Sequence, residues 1–335
     1  MGPGPDHRVP RGAPVVNAGD HRPGLYVELP LDESGRARLR ELASGPVWFA
    51  EPGTVSAADD RALADAGIAL GNPEAARVAE APRLRWLQLA SVGIDGYLGL
   101  DWPVLGRRLT VTNLGDVFAD PVAESCLAGI LALHRGIDEL SGLRSRGTWA
   151  KSVVRPRLRL LSGARVLVLG RGSIALRFAE LLGPFGCRIS HFARGSGDIR
   201  TPAGLDAQLP DFDVVVGLLP GTPGTSGLLD ARRLARMRPG AVLVNAGRGS
   251  LVDEEALVSE LSSGRLGGAV LDVTGQEPLP AGHPLWTCPN VILTQHTAGG
   301  STDETARVID LFAENLRRFE TDAPLRNPVQ WARGF

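Results

Sequence analysis

The chain has 335 residues, 43% of them hydrophobic, and a formal net charge of −1 at pH 7. This length suits two domains of ordinary size or one large α/β unit, and the near-zero charge gives no reason to expect nucleic acid or a membrane surface as a partner. The three cysteines lack metal-ligand spacing, which predicts free thiols in a reducing cytoplasm and no metal site, and no apolar stretch approaches the roughly 20 residues that span a bilayer.

The first 24 residues are rich in Gly, Pro and Arg and lack the apolar segment of a signal peptide, so we predict a disordered leader. After it, short apolar strands alternate with helices. Strands are predicted at 25–29, 47–49, 86–89 and 110–113, and helices at 34–43 and 59–65. Val92 and Gly93 follow the third strand, where a glycine exposes backbone N–H groups that can hold a small anion. A plain loop is the alternative interpretation of this segment.

A single long helix is predicted at 121–143, where the apolar residues cover more than one narrow stripe. A helix of this kind is buried on more than one side, which fits a domain junction or a subunit interface. The segment 144–162 that follows is rich in Arg and predicted to be irregular, with Trp149 in its middle.

The stretch 165–194 predicts a strand, a glycine turn, a helix and a second strand in succession. Gly170, Gly172 and Ala175 occupy the three small-residue positions of a G-x-G-x-x-(G/A) turn directly after the apolar strand. Free N–H groups at the start of the following helix favour an anion, so the pattern predicts a dinucleotide site. The alternative is a tight turn without a ligand, because a glycine-rich chain contains such patterns by chance.

Beyond this turn, strands are predicted at 188–192, 213–219, 241–245, 268–273 and 290–294, with a helix at 253–261. This alternation predicts a parallel, doubly wound sheet, whose ligands collect at the carboxyl ends of the strands. Four polar residues stand at or shortly after these strand ends: Arg248, Asp272, Glu277 and His296.

Three of these side chains together could bind a 2-oxo acid, polarise its carbonyl and protonate the carbonyl oxygen when a coenzyme delivers a hydride to C2. Arg248 carries a planar guanidinium that can grip a carboxylate with two hydrogen bonds. His296 can protonate the oxygen as hydride arrives at C2, and a carboxylate from Glu277 on the far imidazole nitrogen would orient the ring and favour its charged form. Taken singly, each has a structural alternative: an ion pair for Arg248, a solvated loop acid for Glu277 and a capped strand end for His296.

The residues after strand 188–192 predict the coenzyme. An acid at this point of a dinucleotide fold bonds the adenosine ribose and repels a 2′-phosphate, but here the position holds Ala193. Arg194 and Ser196 follow, and both can donate hydrogen bonds to a phosphate. We therefore predict that NADP(H) is preferred, with NAD(H) as the second coenzyme. If Arg194 is instead an exposed residue that stacks on adenine, the preference disappears.

Several longer stretches resemble one protein family: LQLASVGID, DPVAES, VLVLGRGSIA, LLPGTPGTSGLL, LVNAGRGSLVDEEAL, GAVLDVTGQEPL, HPLWTCPNVILTQHTAG and ENLRRF. In order and spacing they resemble the NAD(P)-dependent D-2-hydroxyacid dehydrogenases of the glyoxylate/hydroxypyruvate reductase type, from about Gly71 to Pro328. The resemblance implies an α/β fold with two doubly wound parallel sheets. A Rossmann dinucleotide domain, 119–296, is inserted into a flavodoxin-like substrate domain, 25–118 and 297–335. It also implies a cytoplasmic oxidoreductase that forms a homodimer.

The resemblance further implies a role for each matching residue. Arg248 matches the substrate-binding arginine, His296 the catalytic histidine and Glu277 the acid that pairs with it. The backbone of Val92 and Gly93 matches the loop that receives the substrate carboxylate. The expected coenzyme contacts are Gly170, Arg171, Gly172, Ser173, Ile174, Arg194, Ser196, Leu219, Pro220, Thr225, Ala246, Gly247, Arg248, His296 and Asp272, the last of which matches the acid at the nicotinamide carboxamide.

The chain departs from the family pattern in a few places. Gln295 stands where a proline usually precedes the histidine, which we expect to loosen or re-aim His296. Ala175 replaces the third glycine of the turn, a change that the pattern tolerates. A non-catalytic, dinucleotide-binding regulatory protein of the co-repressor kind is the alternative function, against which stands the presence of the arginine, the acid and the histidine together.

Overall fold

The computed structural model describes residues 22–331, and the chain divides into two compact units. Unit 1 comprises the described residues up to Asn113 together with Ile309–Trp331, and unit 2 comprises Leu114–Val308. Except for positions 22–24, the predicted leader lies outside the described residues. Among residues 22–331, none of the helices has the length and apolar character needed to cross a membrane.

The chain passes from unit 1 to unit 2 after Asn113 and returns to unit 1 at Ile309, whereas the predicted boundaries are 118/119 and 296/297. Gly115 belongs to unit 2, where its carbonyl oxygen accepts a hydrogen bond of 2.9 Å from Ser173 Oγ. Thr297 and Ala298 also belong to unit 2, where their N–H groups donate to the Asp272 carboxylate at 2.9 and 3.0 Å. Hydrogen bonds beyond the strand ends therefore place both boundaries away from the predicted positions. Hydrophobic patterning gives no signal for such bonds.

Unit 1 contains a parallel sheet of five strands in the order β2-β1-β3-β4-β5. The strands are β1 Leu25–Glu28, β2 Val47–Ala50, β3 Ile68–Gly71, β4 Trp86–Gln88 and β5 Thr110–Thr112. The helices between them are α1 Glu33–Leu42, α2 Ala57–Asp65, α3 Ala75–Glu80 and α4 Trp102–Leu105. β1, β3 and β4 are buried at every position, as expected for strands covered on both faces.

Unit 2 contains a parallel sheet of six strands in the order β11-β10-β9-β8-β6-β7. The strands are β6 Arg165–Leu169, β7 Arg188–Phe192, β8 Val214–Gly217, β9 Val242–Asn245, β10 Gly268–Leu271 and β11 Val291–Leu293. The helices are α5 Ala119–Arg135, α6 Ile137–Ser145, α7 Lys151–Val154, α8 Ser173–Leu181, α9 Pro202–Gln208, α10 Ala231–Arg236 and α11 Glu254–Ser262. The order reverses between β6 and β8, so the ligand crevice of unit 2 lies at the carboxyl ends of these strands. The predicted fold class, with two doubly wound parallel sheets, is confirmed.

The last helix, α12 Glu304–Glu320, carries the chain back into unit 1. Trp86 of β4 stacks on Phe312 and Phe319, with ring centroids 5.1 and 5.5 Å apart. The Asn315 side-chain amide donates a buried hydrogen bond of 3.0 Å to Gln88 Oε1. These contacts explain why the residues from Ile309 onward belong to the same unit as the beginning of the chain.

Several short elements lie where none was predicted, namely β3, α3, α4, α7, α9 and α10. Four to seven residues are too few to display a helical period, and three of the short helices, α4, α9 and α10, begin at a capping side chain instead. Asp230, for example, caps α10 by accepting a hydrogen bond of 2.8 Å from the Arg233 N–H. The segment 144–162 is therefore not wholly irregular, because it contains α7.

The single helix predicted at 121–143 is wrong, because Gly136 divides it into α5 and α6. Gly136 is left-handed, with φ of +61°, and its N–H bonds to the Leu133 carbonyl oxygen at 3.2 Å. The buried face of α5 packs against the sheet at Gly129, where a Cβ would lie 2.6 Å from Val270 Cγ1. In α6 the large apolar residues Ile137 and Leu140 are exposed.

The two glycines of this region have opposite expected effects on stability when replaced by alanine. Gly136→Ala should lower the free energy of unfolding by about 1–2 kcal/mol, since a left-handed backbone disfavours a Cβ and this Cβ would lie 3.2 Å from Leu158 Cδ2 and Val154 Cγ1. Gly142→Ala should raise the free energy of unfolding by about 0.5–1 kcal/mol, because Gly142 lies inside α6 and a Cβ there would meet open space. Urea unfolding of both variants measures the difference, and equal effects would contradict the helix break.

Candidate active site

The turn after β6 bends the chain at the crevice of unit 2. Gly170 has φ of +122°, and a Cβ there would lie 2.9 Å from the Leu218 carbonyl oxygen, so that only glycine fits without displacing the loop after β8. Its N–H donates to the Phe192 carbonyl oxygen at 3.0 Å. From β7, the buried His191 donates through Nδ1 to the Gly170 carbonyl oxygen at 2.9 Å. Two hydrogen bonds to β7 therefore fix the turn, and the loop after β8 packs closely against it.

The residues after Gly170 suit the pyrophosphate of a dinucleotide. Gly172 is the N-cap of α8 and has no side chain with which to cap the helix, and no atom lies within 4 Å of the place its Cβ would take. Open space thus lies beside Gly172 at the start of α8, where the helix dipole favours an anion. Ser173 bonds to Gly115, Ile174 is half-buried, and Arg171 is exposed. Ala175 is buried against the sheet, as the third small residue of the turn requires.

The loop after β7 presents Arg194 and Ser196, both exposed, behind the half-buried Ala193. It forms a tight turn in which the Gly197 N–H donates to the Ala193 carbonyl oxygen at 3.1 Å. Arg194 reaches the loop after β8, since a Cβ on Gly224 would lie 2.8 Å from Arg194 Nη2. A cationic side chain therefore lies across the two loops that flank the crevice.

The loop after β8 holds itself together through one hydroxyl. Thr225 is buried, and its Oγ1 donates to the Pro220 carbonyl oxygen at 2.6 Å and accepts from the Thr222 N–H at 2.9 Å. Leu219 and Pro220 are half-buried beside it. The Thr225 hydroxyl therefore makes its hydrogen bonds within the loop, where it stabilises the loop conformation.

Arg248 follows β9 in a loop that Asn245 organises. The Asn245 side chain, 1% exposed, donates to the Arg248 carbonyl oxygen at 2.9 Å and accepts from the Gly247 N–H at 3.3 Å. Gly247 passes so close to the loop after β8 that a Cβ would lie 2.6 Å from the Leu219 carbonyl oxygen. Arg248 is half-buried, with Nη1 donating to the Gly247 carbonyl oxygen at 2.7 Å, and Ala246 is also half-buried.

Gly249 brings the loop of Glu277 against the backbone that carries Arg248. A Cβ on Gly249 would lie 1.9 Å from the Thr274 carbonyl oxygen, so every other residue would push the two loops apart. Glu254, in the first turn of α11, accepts a hydrogen bond of 2.7 Å from the Gly275 N–H. The Thr274 N–H donates to Glu277 Oε1 at 3.0 Å. The loop is thus held at both Gly275 and Glu277.

Glu277 pairs with His296. The distance between His296 Nδ1 and Glu277 Oε2 is 2.7 Å. Burial opposes ionisation of Glu277, but the hydrogen bonds from His296 and from the Thr274 N–H, with the charges of His296 and Arg248, lower the pKa of the carboxyl below its ordinary value. A carboxylate only accepts, so Nδ1 carries the hydrogen and Nε2 is the nitrogen that can exchange a proton with a substrate.

His296 stands in a turn of unusual backbone conformation. Gln295 and His296 both have positive φ, +54° and +58°, and the Thr297 N–H donates to the Thr294 carbonyl oxygen at 3.2 Å, which together describe a type I′ turn. The left-handed conformation costs a residue other than glycine about 1–2 kcal/mol. A proline at position 295 could not adopt this φ. Gln295 thus permits a turn that a proline at this position would prevent. In this turn His296 forms its hydrogen bond with Glu277.

Asp272 lies under this turn and is 7% exposed. Its Oδ1 accepts hydrogen bonds from Thr294 Oγ1 at 2.6 Å and from the N–H groups of Thr297 and Ala298 at 2.9 and 3.0 Å. Its carbonyl oxygen accepts the His296 N–H at 2.6 Å. The contact with the nicotinamide stays a prediction, and the structure adds four hydrogen bonds to the histidine turn.

Two functional candidates were not assigned a role from the sequence, namely Asn245 and Thr294. Both are polar residues at the carboxyl end of a strand or directly after it, which is the signal that identified Arg248 and His296. Their short side chains bind backbone or carboxylate groups within a few residues of the candidate catalytic groups.

Val92 and Gly93 lie in unit 1, in the loop after β4. The Asn113 side chain donates to the Val92 carbonyl oxygen at 3.0 Å, and Ser91 Oγ donates to the Gly93 carbonyl oxygen at 2.8 Å. Asn72 Oδ1 accepts the Ala90 N–H at 3.2 Å. Side-chain hydrogen bonds to two carbonyl oxygens and one N–H group thus hold the loop that is expected to receive a carboxylate.

The structure brings Arg248, Glu277 and His296 together at the carboxyl edge of one sheet, in unit 2, next to the loops of the glycine turn. Val92 and Gly93 belong to the other unit. In the part of the chain that the structure describes, no group of three or more His, Cys, Asp or Glu side chains could hold a metal ion.

Comparisons with known proteins show the family of the chain. The model for the NAD binding domain of D-isomer specific 2-hydroxyacid dehydrogenases matches residues 127–298. A hydroxyphenylpyruvate reductase of Plectranthus scutellarioides is 35% identical over 267 residues, which cover 78% of this chain and 84% of that protein. A glyoxylate reductase of Thermofilum pendens is 34% identical over 249 residues, covering 70% of this chain and 72% of that protein.

Solved structures give the same result. The crystal structure of an NADPH-dependent glyoxylate/hydroxypyruvate reductase from Sinorhizobium meliloti, in complex with NADP and malonate, has a TM-score of 0.75 and 28% identity. The match covers 92% of this chain and 97% of that one. The chain therefore belongs to the D-isomer specific 2-hydroxyacid dehydrogenase family, and it is an oxidoreductase with a domain that binds a nicotinamide dinucleotide.

Proposed function

We propose that the enzyme transfers a hydride between NADP(H) and C2 of a small 2-oxo or 2-hydroxy acid, with NAD(H) as the second coenzyme. The observation that carries the proposal is the hydrogen bond of 2.7 Å between His296 and Glu277, formed beside Arg248 at the ligand edge of the sheet. Relatives named as reductases of glyoxylate, hydroxypyruvate and hydroxyphenylpyruvate support a 2-oxo acid substrate.

In this proposal each protein group has one task. When bound, the nicotinamide coenzyme supplies the hydride. Arg248 binds the substrate carboxylate and polarises the carbonyl with its planar guanidinium, and the N–H groups of Val92 and Gly93 receive the carboxylate. His296 Nε2 gives a proton to the C2 oxygen, while the Glu277 carboxylate holds Nδ1–H and balances the charge of the imidazolium.

The proposed coenzyme contacts follow the crevice of unit 2. Gly170, Arg171, Gly172, Ser173 and Ile174 surround the pyrophosphate position at the start of α8. Arg194 and Ser196 bind the 2′-phosphate, since the side chain at position 193 carries no negative charge. The remaining proposed contacts, on the loops after β8, β9, β10 and β11, are Leu219, Pro220, Thr225, Ala246, Gly247, Arg248, Asp272 and His296.

We also propose that the protein forms a homodimer through the segment 137–160 of unit 2. Five large apolar side chains in this segment are exposed: Ile137, Leu140, Trp149, Val153 and Leu160. Trp149 is 91% exposed, which is unusual for an indole side chain in water. A second copy of the chain would cover these residues, as in an isologous interface.

The dimer has a direct test. Light scattering should give twice the chain mass of 35.4 kDa, and the double variant Ile137→Glu with Leu140→Glu should shift the protein toward the monomer. Val55→Glu, an equivalent change at an exposed apolar residue of unit 1, should leave the mass unchanged. A wild-type mass of one chain would rule the homodimer out.

The reaction and the coenzyme preference are tested together. Glyoxylate, hydroxypyruvate and hydroxyphenylpyruvate are assayed with NADPH and with NADH, and kcat/KM should favour NADPH by roughly tenfold to a hundredfold. This range corresponds to about 1.5–3 kcal/mol for hydrogen bonds to a charged group. Turnover of none of the acids would reject the function, and a preference for NADH would reject the role of Arg194.

A matched variant tests the same residues in the opposite direction. Ala193→Asp combined with Arg194→Ser introduces the carboxylate that repels a 2′-phosphate and removes the cation that binds it. The ratio of kcat/KM for NADPH to that for NADH should reverse. Retention of the wild-type ratio would mean that the loop after β7 does not contact the phosphate.

The acid–base pair is tested by His296→Ala and Glu277→Gln. Each should lower kcat by about 10²–10⁴-fold, the usual range for general acid–base catalysis, while the dissociation constant of NADPH, measured by fluorescence, stays near that of the wild type. Glu255→Gln is the control, because Glu255 is an exposed glutamate of the same unit and should retain full activity. A loss below about threefold for His296→Ala would remove this residue from the mechanism.

A further inference from the structure

The turn that carries His296 has no glycine, and two of its residues, Gln295 and His296, are left-handed. Such a turn persists only where its surroundings hold it. Four hydrogen bonds to Asp272 do so: from Thr294 Oγ1, from the N–H groups of Thr297 and Ala298, and from the His296 N–H. Asp272 therefore binds a residue that precedes His296 and residues that follow it in the chain.

We infer that Thr294 and Asp272 are positioning residues for His296, which fix the turn so that the imidazole meets Glu277. This inference rests on the proposed role of His296 as the proton donor. The family resemblance assigns the Asp272 carboxylate to the coenzyme. In this inference the same carboxylate also holds the turn of His296.

The hydrogen-bonding capacity of Asp272 supports the inference. A carboxylate oxygen offers about two lone-pair positions, and Oδ1 already receives three donors from the turn. Oδ1 is therefore fully used within the protein, and a coenzyme contact made by Asp272 must use Oδ2. The same rigid group then borders the coenzyme with one oxygen and holds the proton donor with the other.

Thr294 acts on the turn at two points. Its hydroxyl donates to Asp272 Oδ1 at 2.6 Å, the short distance of a charge-assisted O–H···O⁻ bond. Its carbonyl oxygen accepts the Thr297 N–H at 3.2 Å and Thr297 Oγ1 at 2.5 Å, which closes the turn. Because Thr294 directly follows β11, it connects the turn to the rigid sheet.

Thr294 also allows the positioning role to be separated from coenzyme binding. Thr294→Val removes the bond to Oδ1 with almost no change in shape and leaves the carboxylate in place. Thr294→Ser restores the hydroxyl. Thr287→Val is the matched control, since Thr287 is an exposed threonine of the same unit outside the site.

The kinetic experiment measures kcat and the dissociation constant of NADPH for these variants. Thr294→Val should lower kcat roughly tenfold, as expected for the loss of one charge-assisted hydrogen bond, without weakening NADPH binding. Thr294→Ser and Thr287→Val should retain the wild-type kcat. In a His296→Ala background, Thr294→Val should cause no further loss, because the group that it positions is gone.

A second readout does not depend on turnover. In ¹H–¹³C spectra of histidine-labelled, coenzyme-free protein, the ring signals of His296, identified by their loss in His296→Ala, should move in Thr294→Val and stay in place in Thr294→Ser and Thr287→Val. If the wild type reduces no 2-oxo acid, the proposed function fails, and these spectra alone still decide whether Thr294 positions His296.

Three results would overturn the inference. The first is a Thr294→Val variant with the kcat and the His296 signals of the wild type. The second is an equal loss of kcat from Thr294→Val with and without His296. The third is a weaker binding of NADPH that accounts for the whole effect, which would make Asp272 a coenzyme ligand only.

Discussion

The hydrogen bond of 2.7 Å between His296 Nδ1 and Glu277 Oε2 joins the loops after β11 and β10, and the surrounding groups are arranged so that it can form. On one side, the Thr274 N–H and Glu254 hold the loop of Glu277. On the other side, Asp272 holds the turn of His296. Each partner is thus fixed by a carboxylate and by backbone N–H groups, which suits a site that must keep one tautomer and one ring orientation.

The glycines of unit 2 make this arrangement sterically feasible. Parallel strands deliver their loops to one edge of the sheet, where the loops must cross at backbone distance. At Gly249 and Gly247 the neighbouring loop occupies the space of a Cβ, with a carbonyl oxygen 1.9 and 2.6 Å from that position. Gly170 meets the loop after β8 in the same way, at 2.9 Å. The glycines therefore determine how close the dinucleotide turn, Arg248 and Glu277 can come to one another.

Much of the fold and the chemistry could be predicted from the sequence. The strands of a buried parallel sheet are continuous apolar runs, so most of them could be recognised without knowledge of their neighbours, although β3 was missed. Since the carboxyl ends of parallel strands share one edge, a polar residue directly after a run is placed near the ligand as soon as the sheet is inferred. Arg248, Glu277 and His296 were found in this way, and the pairing of His296 with Glu277 is present in the structure. Their catalytic roles stay predictions.

Tertiary structure alone decided how these residues are held. The break at Gly136 depends on a left-handed glycine inside an otherwise helical pattern, and the short helices α4, α9 and α10 begin at capping side chains, which leave no periodic signal. The type I′ turn at Gln295 and His296 contains no glycine or asparagine from which it could be predicted. It exists because Asp272, more than twenty positions earlier in the chain, accepts its hydrogen bonds. Apolar periodicity is a local property that one chain segment displays by itself, whereas a loop is fixed by hydrogen bonds to groups that only the folded sheet brings near. The sequence therefore determined most of the strands and the polar residues at their ends, and the fold determined the orientation of those residues.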